Sequence, residues 1–176
     1  MIKIIDKLLA ITLTILMGLM VLVVTWQILS RFATDSPSSW TEELARFLLM
    51  WIGLLGATWA YRMRAHLGLS YLVEKQSAVR QKALALFSYF ASGVFALSIM
   101  MYGGSQLVLL TLELNQVSAS LGVQIGYVYM VIPISGALIT VYAIDFARAA
   151  LAGEVYVHPH LREDDDTDSN SIATGE

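Results

Sequence analysis

The chain has 176 residues, of which 57% are hydrophobic and only 14% are charged, whereas a soluble domain carries roughly 25% charged residues. Together with a mean hydropathy of +0.65, this composition excludes an ordinary soluble domain and indicates an all-α integral membrane protein. The chain has no cysteine, which excludes disulfides and thiolate chemistry. No basic patch suited to nucleic acid is present.

Four apolar runs follow one another along the chain. They predict four transmembrane helices at about residues 8–29, 40–61, 83–112 and 127–151. At about 1.5 Å per residue the first run extends roughly 33 Å, enough to cross a bilayer. It is longer than the apolar part of a signal peptide and lacks a small-residue cleavage site, so we predict that it remains as a membrane helix.

The segments between and beyond these runs are polar. Residues 2–7 are interpreted as a short amphipathic lead-in, and residues 62–82 as a basic segment that lies along the membrane surface. The predicted domain organisation is therefore a four-helix transmembrane domain at 1–153. It is followed by an acidic cytoplasmic tail at 154–176, whose composition predicts disorder.

The distribution of lysine and arginine predicts the orientation of the chain. With the N-terminus inside, nine of the eleven basic residues are cytoplasmic, namely Lys3, Lys7, Arg62, Arg64, Lys75, Arg80, Lys82, Arg148 and Arg162. Only Arg31 and Arg46 are then outside. Since cytoplasmic loops are enriched in basic residues, both termini are predicted to be cytoplasmic.

A charged motif stands at the start of the second helix. Glu42 is four residues and Glu43 three residues before Arg46, so either carboxylate can reach the guanidinium on one side of a helix. Trp40 and Trp51 share an apolar stripe of the same helix. The charges can simply cap the helix and neutralise one another. Alternatively, Glu43 or Arg46 faces a partner protein, where an ion pair would fix the register of the contact.

Three polar residues follow the second helix. Arg62, Arg64 and His66 are predicted to hold its inner end at the lipid headgroups, with His66 as an interfacial residue rather than a ligand. Asp145 and Arg148 are predicted to form a local pair on the fourth helix. No haem ligand at membrane depth, metal cluster, nucleophile-and-base set or phosphate loop is visible. The sequence therefore predicts neither an enzyme nor a cofactor.

The segment Trp40–Arg46, followed by Trp51, Gly56-Ala57 and His66, resembles the signature of the small membrane subunit of tripartite ATP-independent periplasmic (TRAP) transporters, the DctQ-like family. A second segment is similar to the part of that family before its last helix. It comprises Ser120–Val123, Tyr129 and Pro133. The resemblance extends from Ile2 to about Gly153, and the acidic tail matches no family feature.

This resemblance implies a role in the bacterial inner membrane. In such systems a soluble periplasmic protein captures an organic acid, often a sialic acid or a C4-dicarboxylate. A large membrane subunit then carries the acid with sodium ions by an elevator-like movement. The small subunit is expected to be a scaffold that contacts the large subunit, the binding protein and the lipid bilayer. Its motif residues would orient and anchor the second helix, namely Trp40, Glu42, Glu43, Arg46 and Trp51.

Two other functions are compatible with the sequence. A self-contained carrier or channel could work as a homo-oligomer, although the first and third helices are predicted to carry no charge at membrane depth. A membrane anchor for a soluble partner would need only one or two spans, which leaves four spans unexplained.

Overall fold

The computed structural model describes residues 2–33, 39–63 and 78–152. Within these ranges four helices are long and apolar enough to cross a membrane, and no strand is present beyond one isolated backbone bridge. The predicted all-helical class and the predicted number of spans are confirmed. Arg64, His66 and the acidic tail at 154–176 lie outside the described residues, as does most of the predicted surface segment.

Two of the long helices are continuous, and two are divided. The elements in chain order are α1 (Ile2–Ala33), α2 (Ser39–Arg62), α3 (Ala78–Phe95), a π-helical segment (Ala96–Gly103), α4 (Gly104–Glu113), α5 (Ile125–Tyr129) and α6 (Val131–Leu151). The segments from α3 to α4 form the third long helix, and α5 and α6 form the fourth. Pro133 lacks the N–H that would bond to the carbonyl of Tyr129, which accounts for the division at Met130.

The first helix begins earlier than the sequence suggested. Residues 2–7 are the first turns of α1 and do not form a separate lead-in. No glycine or proline interrupts this segment, so nothing breaks the helix before the long apolar run. With 32 residues and a rise of about 1.5 Å per residue, α1 extends roughly 48 Å.

Consecutive long helices run in opposite directions. α1 packs along α2, α2 also packs against α6, and α6 packs against the third long helix. The buried apolar cluster consists of Leu9, Leu55, Val131, Tyr142 and Phe146. Most other large apolar side chains are exposed. In a bilayer the lipid tails are as apolar as these side chains, so burying them inside the protein gains little free energy.

The third and fourth helices approach each other most closely at small residues. A Cβ on Gly136 would lie 2.7 Å from Cβ of Met100 and 2.9 Å from the backbone nitrogen of Met101, both in the π-helical segment. A Cβ on Gly104 would lie 2.8 Å from a methyl carbon of Ile132. Glycine at these positions lets the two backbones pack side by side.

Gly136→Ala is therefore expected to lower the stability of the chain. The added methyl group meets backbone atoms that cannot move aside, and overpacking of this kind costs about 1–3 kcal/mol. The matched control is Gly18→Ala on α1, where a Cβ would have no neighbour within 4 Å. The thermal midpoint in mild detergent, read by size-exclusion chromatography, should fall for Gly136→Ala only. Equal midpoints would contradict the close packing described here.

Candidate functional site

Polar side chains of three helices meet at one end of the bundle, here called the Arg62 end. Arg62, the last residue of α2, donates through Nε to both carboxylate oxygens of Asp6 on α1, at 3.2 and 3.1 Å. The hydroxyl of Tyr142 on α6 donates to Asp6 Oδ1 at 2.9 Å. Asp145, also on α6, has an oxygen 3.7 Å from Nη1 of Arg62. We refer to these four residues as the Arg62 cluster.

Aromatic rings complete the surroundings of the guanidinium. Its central carbon lies 5.4 Å from the ring centre of Tyr142 and 5.5 Å from that of Phe146, within the range of cation–π attraction. The side chains of Arg62 and Asp6 retain 25% and 22% of their exposure. A planar guanidinium can serve two carboxylates and stack on rings at the same time, which lysine cannot do.

Most of this cluster is not evident from the sequence. The sequence pattern places Asp6 in a lead-in without a site and predicts that Asp145 pairs with Arg148. The second assignment is wrong, because Asp145 lies against Arg62 where α2 and α6 pack, and Arg148 is exposed. The sequence does contain one signal for a role of Asp6, because Asp6 is the sole acidic residue before Asp35. A lone carboxylate in a membrane helix needs a partner.

The opposite end of α2, here called the Glu43 end, connects to the chain 77 residues later at two points. Oε2 of Glu43 accepts a hydrogen bond from the backbone N–H of Ser120 at 2.8 Å. About two helical turns further along α2, Nε1 of Trp51 donates to the carbonyl oxygen of Val128 at 3.0 Å. The two sequence segments that resemble the family signature are therefore in direct contact.

The two adjacent carboxylates have different partners. Glu42 pairs with Arg46 at 3.2 Å, and both side chains are largely exposed, at 66% and 70%. An exposed pair four residues apart on a helix contributes little to stability. Glu43 instead turns toward Ser120. Trp40, at the start of the motif, is exposed.

The segment between α4 and α5, Leu114–Gln124, is a short folded loop, here called the 114–124 loop. The backbones of Val117 and Gln124 form an antiparallel bridge. The N–H of Gly122 donates to the carbonyl oxygen of Ser118 at 3.1 Å, and the N–H of Leu121 to the Ser118 hydroxyl at 3.1 Å. The backbone of Gly122 has a φ of +67°, a conformation that glycine adopts without strain. Internal hydrogen bonds and Glu43 therefore hold this loop.

Between these two ends the described surface is mostly apolar and carries no charged side chain. A groove with a volume of about 600 Å³ opens between α2 and the third and fourth helices. It is lined by Leu49, Met50, Gly53, Leu54, Phe95, Met100, Tyr129 and Ile132. In the three described ranges no group of three or more histidines or carboxylates is placed to hold a metal ion. The described residues thus form hydrogen bonds between segments at the Arg62 end and the Glu43 end, and no reactive centre is seen among them.

The family described as tripartite ATP-independent periplasmic transporters, DctQ component, matches residues 20–153. The chain belongs to the DctQ family. This confirms the resemblance seen in the sequence. The family consists of transporter components rather than enzymes, which agrees with the prediction that the chain is not an enzyme. With its four apolar helices, the chain is a multi-pass protein of the bacterial inner membrane.

Named relatives of this DctQ-family chain include small permease proteins. The sialic acid TRAP transporter small permease protein SiaQ of Vibrio cholerae is 30% identical over 135 residues, which cover 73% of this chain and 78% of SiaQ. The C4-dicarboxylate TRAP transporter small permease protein DctQ of Rhodobacter capsulatus is 28% identical over 138 residues, or 76% of this chain and 59% of that protein. A shorter match joins 46 residues, 26% of this chain, to 8% of the sialic acid TRAP transporter permease protein SiaT of Haemophilus influenzae, with 44% identity.

Removal of the guanidinium should loosen the Arg62 end. Arg62→Met leaves two carboxylates without their cation and is expected to cost about 2–4 kcal/mol. The matched control, Arg148→Met, alters an exposed arginine on α6 and should change stability by less than about 0.5 kcal/mol. Adding Asp6→Asn to Arg62→Met should recover part of the loss, since it removes an unpaired charge. The thermal midpoint in detergent is measured for the two single variants and for the double variant. Equal midpoints for the two single arginine variants would refute the role of Arg62.

Loss of the Glu43 carboxylate should loosen the 114–124 loop without unfolding the helices. Glu43→Ala removes the acceptor for the Ser120 N–H, so the backbone amides of this loop should exchange with solvent deuterium faster. Glu42→Ala is the control, because it removes only the exposed pair with Arg46. Hydrogen–deuterium exchange in nanodiscs, read by mass spectrometry, should separate the two variants. Identical exchange in the loop peptides would show that Glu43 does not hold the loop.

Proposed function

We propose that this chain is the small scaffold subunit of a sodium-coupled TRAP transporter. The transporter would import an organic acid of the sialic acid or C4-dicarboxylate type, delivered by a periplasmic binding protein. A large elevator-type membrane subunit would carry the acid, and this chain would enlarge the static part of the complex. The names of SiaQ and of the Rhodobacter DctQ protein support these substrate classes.

The observation that carries the scaffold role is the position of the charges. The stretches 8–30, 47–61, 83–112 and 114–144 contain no lysine, arginine, aspartate or glutamate. Charged residues near the middle of the bilayer commonly mark the pathways of ions and organic anions. Arg62 and Glu43, the charged residues of α2 that make long-range polar contacts, lie near opposite ends of this helix. This distribution supports a substrate path through another subunit.

The charge distribution also supports an orientation. The Arg62 end would face the cytoplasm, because basic residues are enriched on that side of the membrane. The Glu43 end and the 114–124 loop would then face the periplasm. In this orientation the Arg62 cluster lies at the level of the inner headgroups, where its residual exposure to water and lipid is tolerated.

Two observations support a large membrane partner. The helices expose many large apolar side chains, which suit packing against a second membrane protein as well as lipid. The segment of SiaT that is similar to this chain makes up only 8% of the length of SiaT. A larger permease thus contains a sequence like part of this chain, which supports a common transport system for the two types of subunit.

Reconstitution of the transporter tests this proposal. Proteoliposomes containing this chain with the large subunit, and supplied with the binding protein and a sodium gradient, should accumulate labelled N-acetylneuraminate or succinate. Vesicles with this chain alone should accumulate neither, because it has no charge at membrane depth. Replacing sodium with potassium is the control for coupling. Sodium-dependent uptake by this chain alone would reject the scaffold role and favour a self-contained homo-oligomeric carrier.

A further inference from the structure

The third long helix contains the π-helical segment Ala96–Gly103. In a π-helix each backbone N–H bonds to the carbonyl five residues back instead of four, and such segments are rare and frequent at functional sites. Here the segment is eight residues long. No proline lies between residues 78 and 113, so the usual local cause of an interrupted helix is absent. The packing of the helix supplies a cause.

The packing of α4 predicts which face of α3 should meet the fourth long helix. Three residues of α4 are buried at a spacing of four and three, namely Gly104, Val108 and Thr111. This is the spacing at which one face of a helix meets a neighbour. Continued toward the N-terminus in an unbroken α-helix, the same spacing would bring Leu97, Val94 and Phe90 to the fourth long helix.

The residues that contact the fourth long helix lie one position earlier, namely Ala96, Gly93 and Tyr89. A Cβ on Gly93 would lie 3.5 Å from Cβ of Ala143. The ring centre of Tyr89 lies 5.6 Å from that of Phe146. The carbonyl oxygen of Ala96 would lie 3.0 Å from a Cβ on Gly136. The longer hydrogen bonds of the π-helical segment therefore absorb one surplus residue.

The surplus residue exchanges a face of large side chains for one of small side chains. An unbroken α-helix would turn Phe90, Val94 and Leu97 toward the fourth helix, and all three are exposed in the structure. The observed register places Gly93 and Ala96 there instead, which lets the two backbones approach closely. Both faces are largely apolar, so lipid tails can cover whichever face is turned outward.

At the end of the segment one backbone N–H has partners in both patterns. The N–H of Gly104 is directed at the carbonyl oxygens of Ile99, Met100 and Met101, which lie five, four and three residues back. The first is the partner that a π-helix uses, and the second is the partner in an α-helix. A change between the two patterns therefore leaves this N–H with an acceptor throughout.

Two serine hydroxyls provide further donors to the backbone of this region. Ser98 donates to the carbonyl oxygen of Val94, and Ser105 donates to that of Met101, each at 2.6 Å. Both serines lie within the span, where a carbonyl without a partner is costly. Serine hydroxyls in membrane helices satisfy carbonyls that a local change of backbone bonding leaves free.

The two halves of the third long helix are held unequally. In α4, Gly104 lies against Ile132 and Pro133, and the side chain of Leu112 lies against Gly126. In α3, by contrast, none of the side chains that the structure describes is buried. α3 is therefore the half that can turn, while α4 stays in place on the fourth helix.

We propose that the π-helical segment is a register joint, at which the third long helix changes between the observed packing and a second packing that is α-helical throughout. In the second packing α3 is turned by about 100° around its own axis, the angle of one residue in an α-helix. Its face of large side chains then meets the fourth helix, and its small residues face outward. Helix register shifts take microseconds to milliseconds. The joint is a property of this chain and does not depend on the proposed function.

Disulfide trapping tests the joint, because the chain has no cysteine of its own. Membranes of cells that produce the complete transporter are oxidised with copper phenanthroline, and the cross-linked fraction is read by mass spectrometry. G93C/A143C reports the observed register, since the 3.5 Å between the two Cβ positions suits a disulfide. V94C/A143C reports the second register, in which position 94 takes the place of position 93. S92C/A143C is the matched control, because position 92 faces Ala143 in neither register.

The second register is expected as a minor state. V94C/A143C should cross-link at an initial rate about tenfold to a hundredfold below that of G93C/A143C, as for a minor state populated at about 1–10%. S92C/A143C should not cross-link on the same timescale. Deleting Leu97, an exposed residue of the π-helical segment, removes the surplus residue. It should abolish cross-linking of V94C/A143C and leave that of G93C/A143C unchanged.

A second deletion provides the control for folding. Deleting Leu109, an exposed residue of α4, moves Thr111 off the contact face and should lower the thermal midpoint of the transporter, whereas deletion of Leu97 should not. Equal cross-linking rates for V94C/A143C and S92C/A143C would overturn the inference. So would a V94C/A143C rate that survives deletion of Leu97, or an equal fall in midpoint for the two deletions. None of these results bears on the scaffold role.

Discussion

The guanidinium of Arg62 holds three membrane helices of this chain at one point. Its contact with Asp6 fixes the start of α1 to the end of α2, and Tyr142 brings α6 to the same carboxylate. In a bilayer, apolar side chains gain little by packing against each other instead of lipid, so polar contacts and close packing decide how helices associate. Among the described contacts, the Arg62 cluster provides the side-chain hydrogen bonds that connect α1 to α2 and α6.

α2 makes side-chain contacts with other segments near both of its ends. At its other end, Glu43 and Trp51 contact the segment that begins the fourth helix. α2 is therefore connected by side-chain hydrogen bonds to α1, to the 114–124 loop and to α5. Between the Arg62 end and the Glu43 end, Gly104 and Gly136 allow the third long helix to pack closely against the fourth. A few polar contacts and two glycines thus define an arrangement whose surface is mostly apolar.

This arrangement suits a subunit that remains static. The hydrogen bonds at both ends of α2 resist the sliding of helices past one another, and the middle of the four spans carries no charged side chain. In the proposed function a partner subunit carries the substrate, and this chain contributes a mostly apolar surface within the membrane. A division of this kind agrees with membership of the DctQ family.

The amino-acid sequence by itself determined the membrane class, the number of spans and the family. Apolar runs of bilayer length can satisfy their backbone hydrogen bonds only as helices, which makes the fold class readable from composition. The motif from Trp40 to Trp51 indicated the family because its residue types and spacing are local features. The pair between Glu42 and Arg46 was also accessible, since residues four apart on a helix are neighbours.

Only the tertiary structure decided the partners of Asp6, Arg62, Glu43 and Trp51. Asp6 and Arg62 are 56 residues apart, and Glu43 and Ser120 are 77 residues apart. Helical periodicity gives the face on which a side chain lies, but it does not give which helix covers that face. That choice depends on how the four helices pack, and the same rule explains why Asp145 meets Arg62 rather than Arg148 on its own helix.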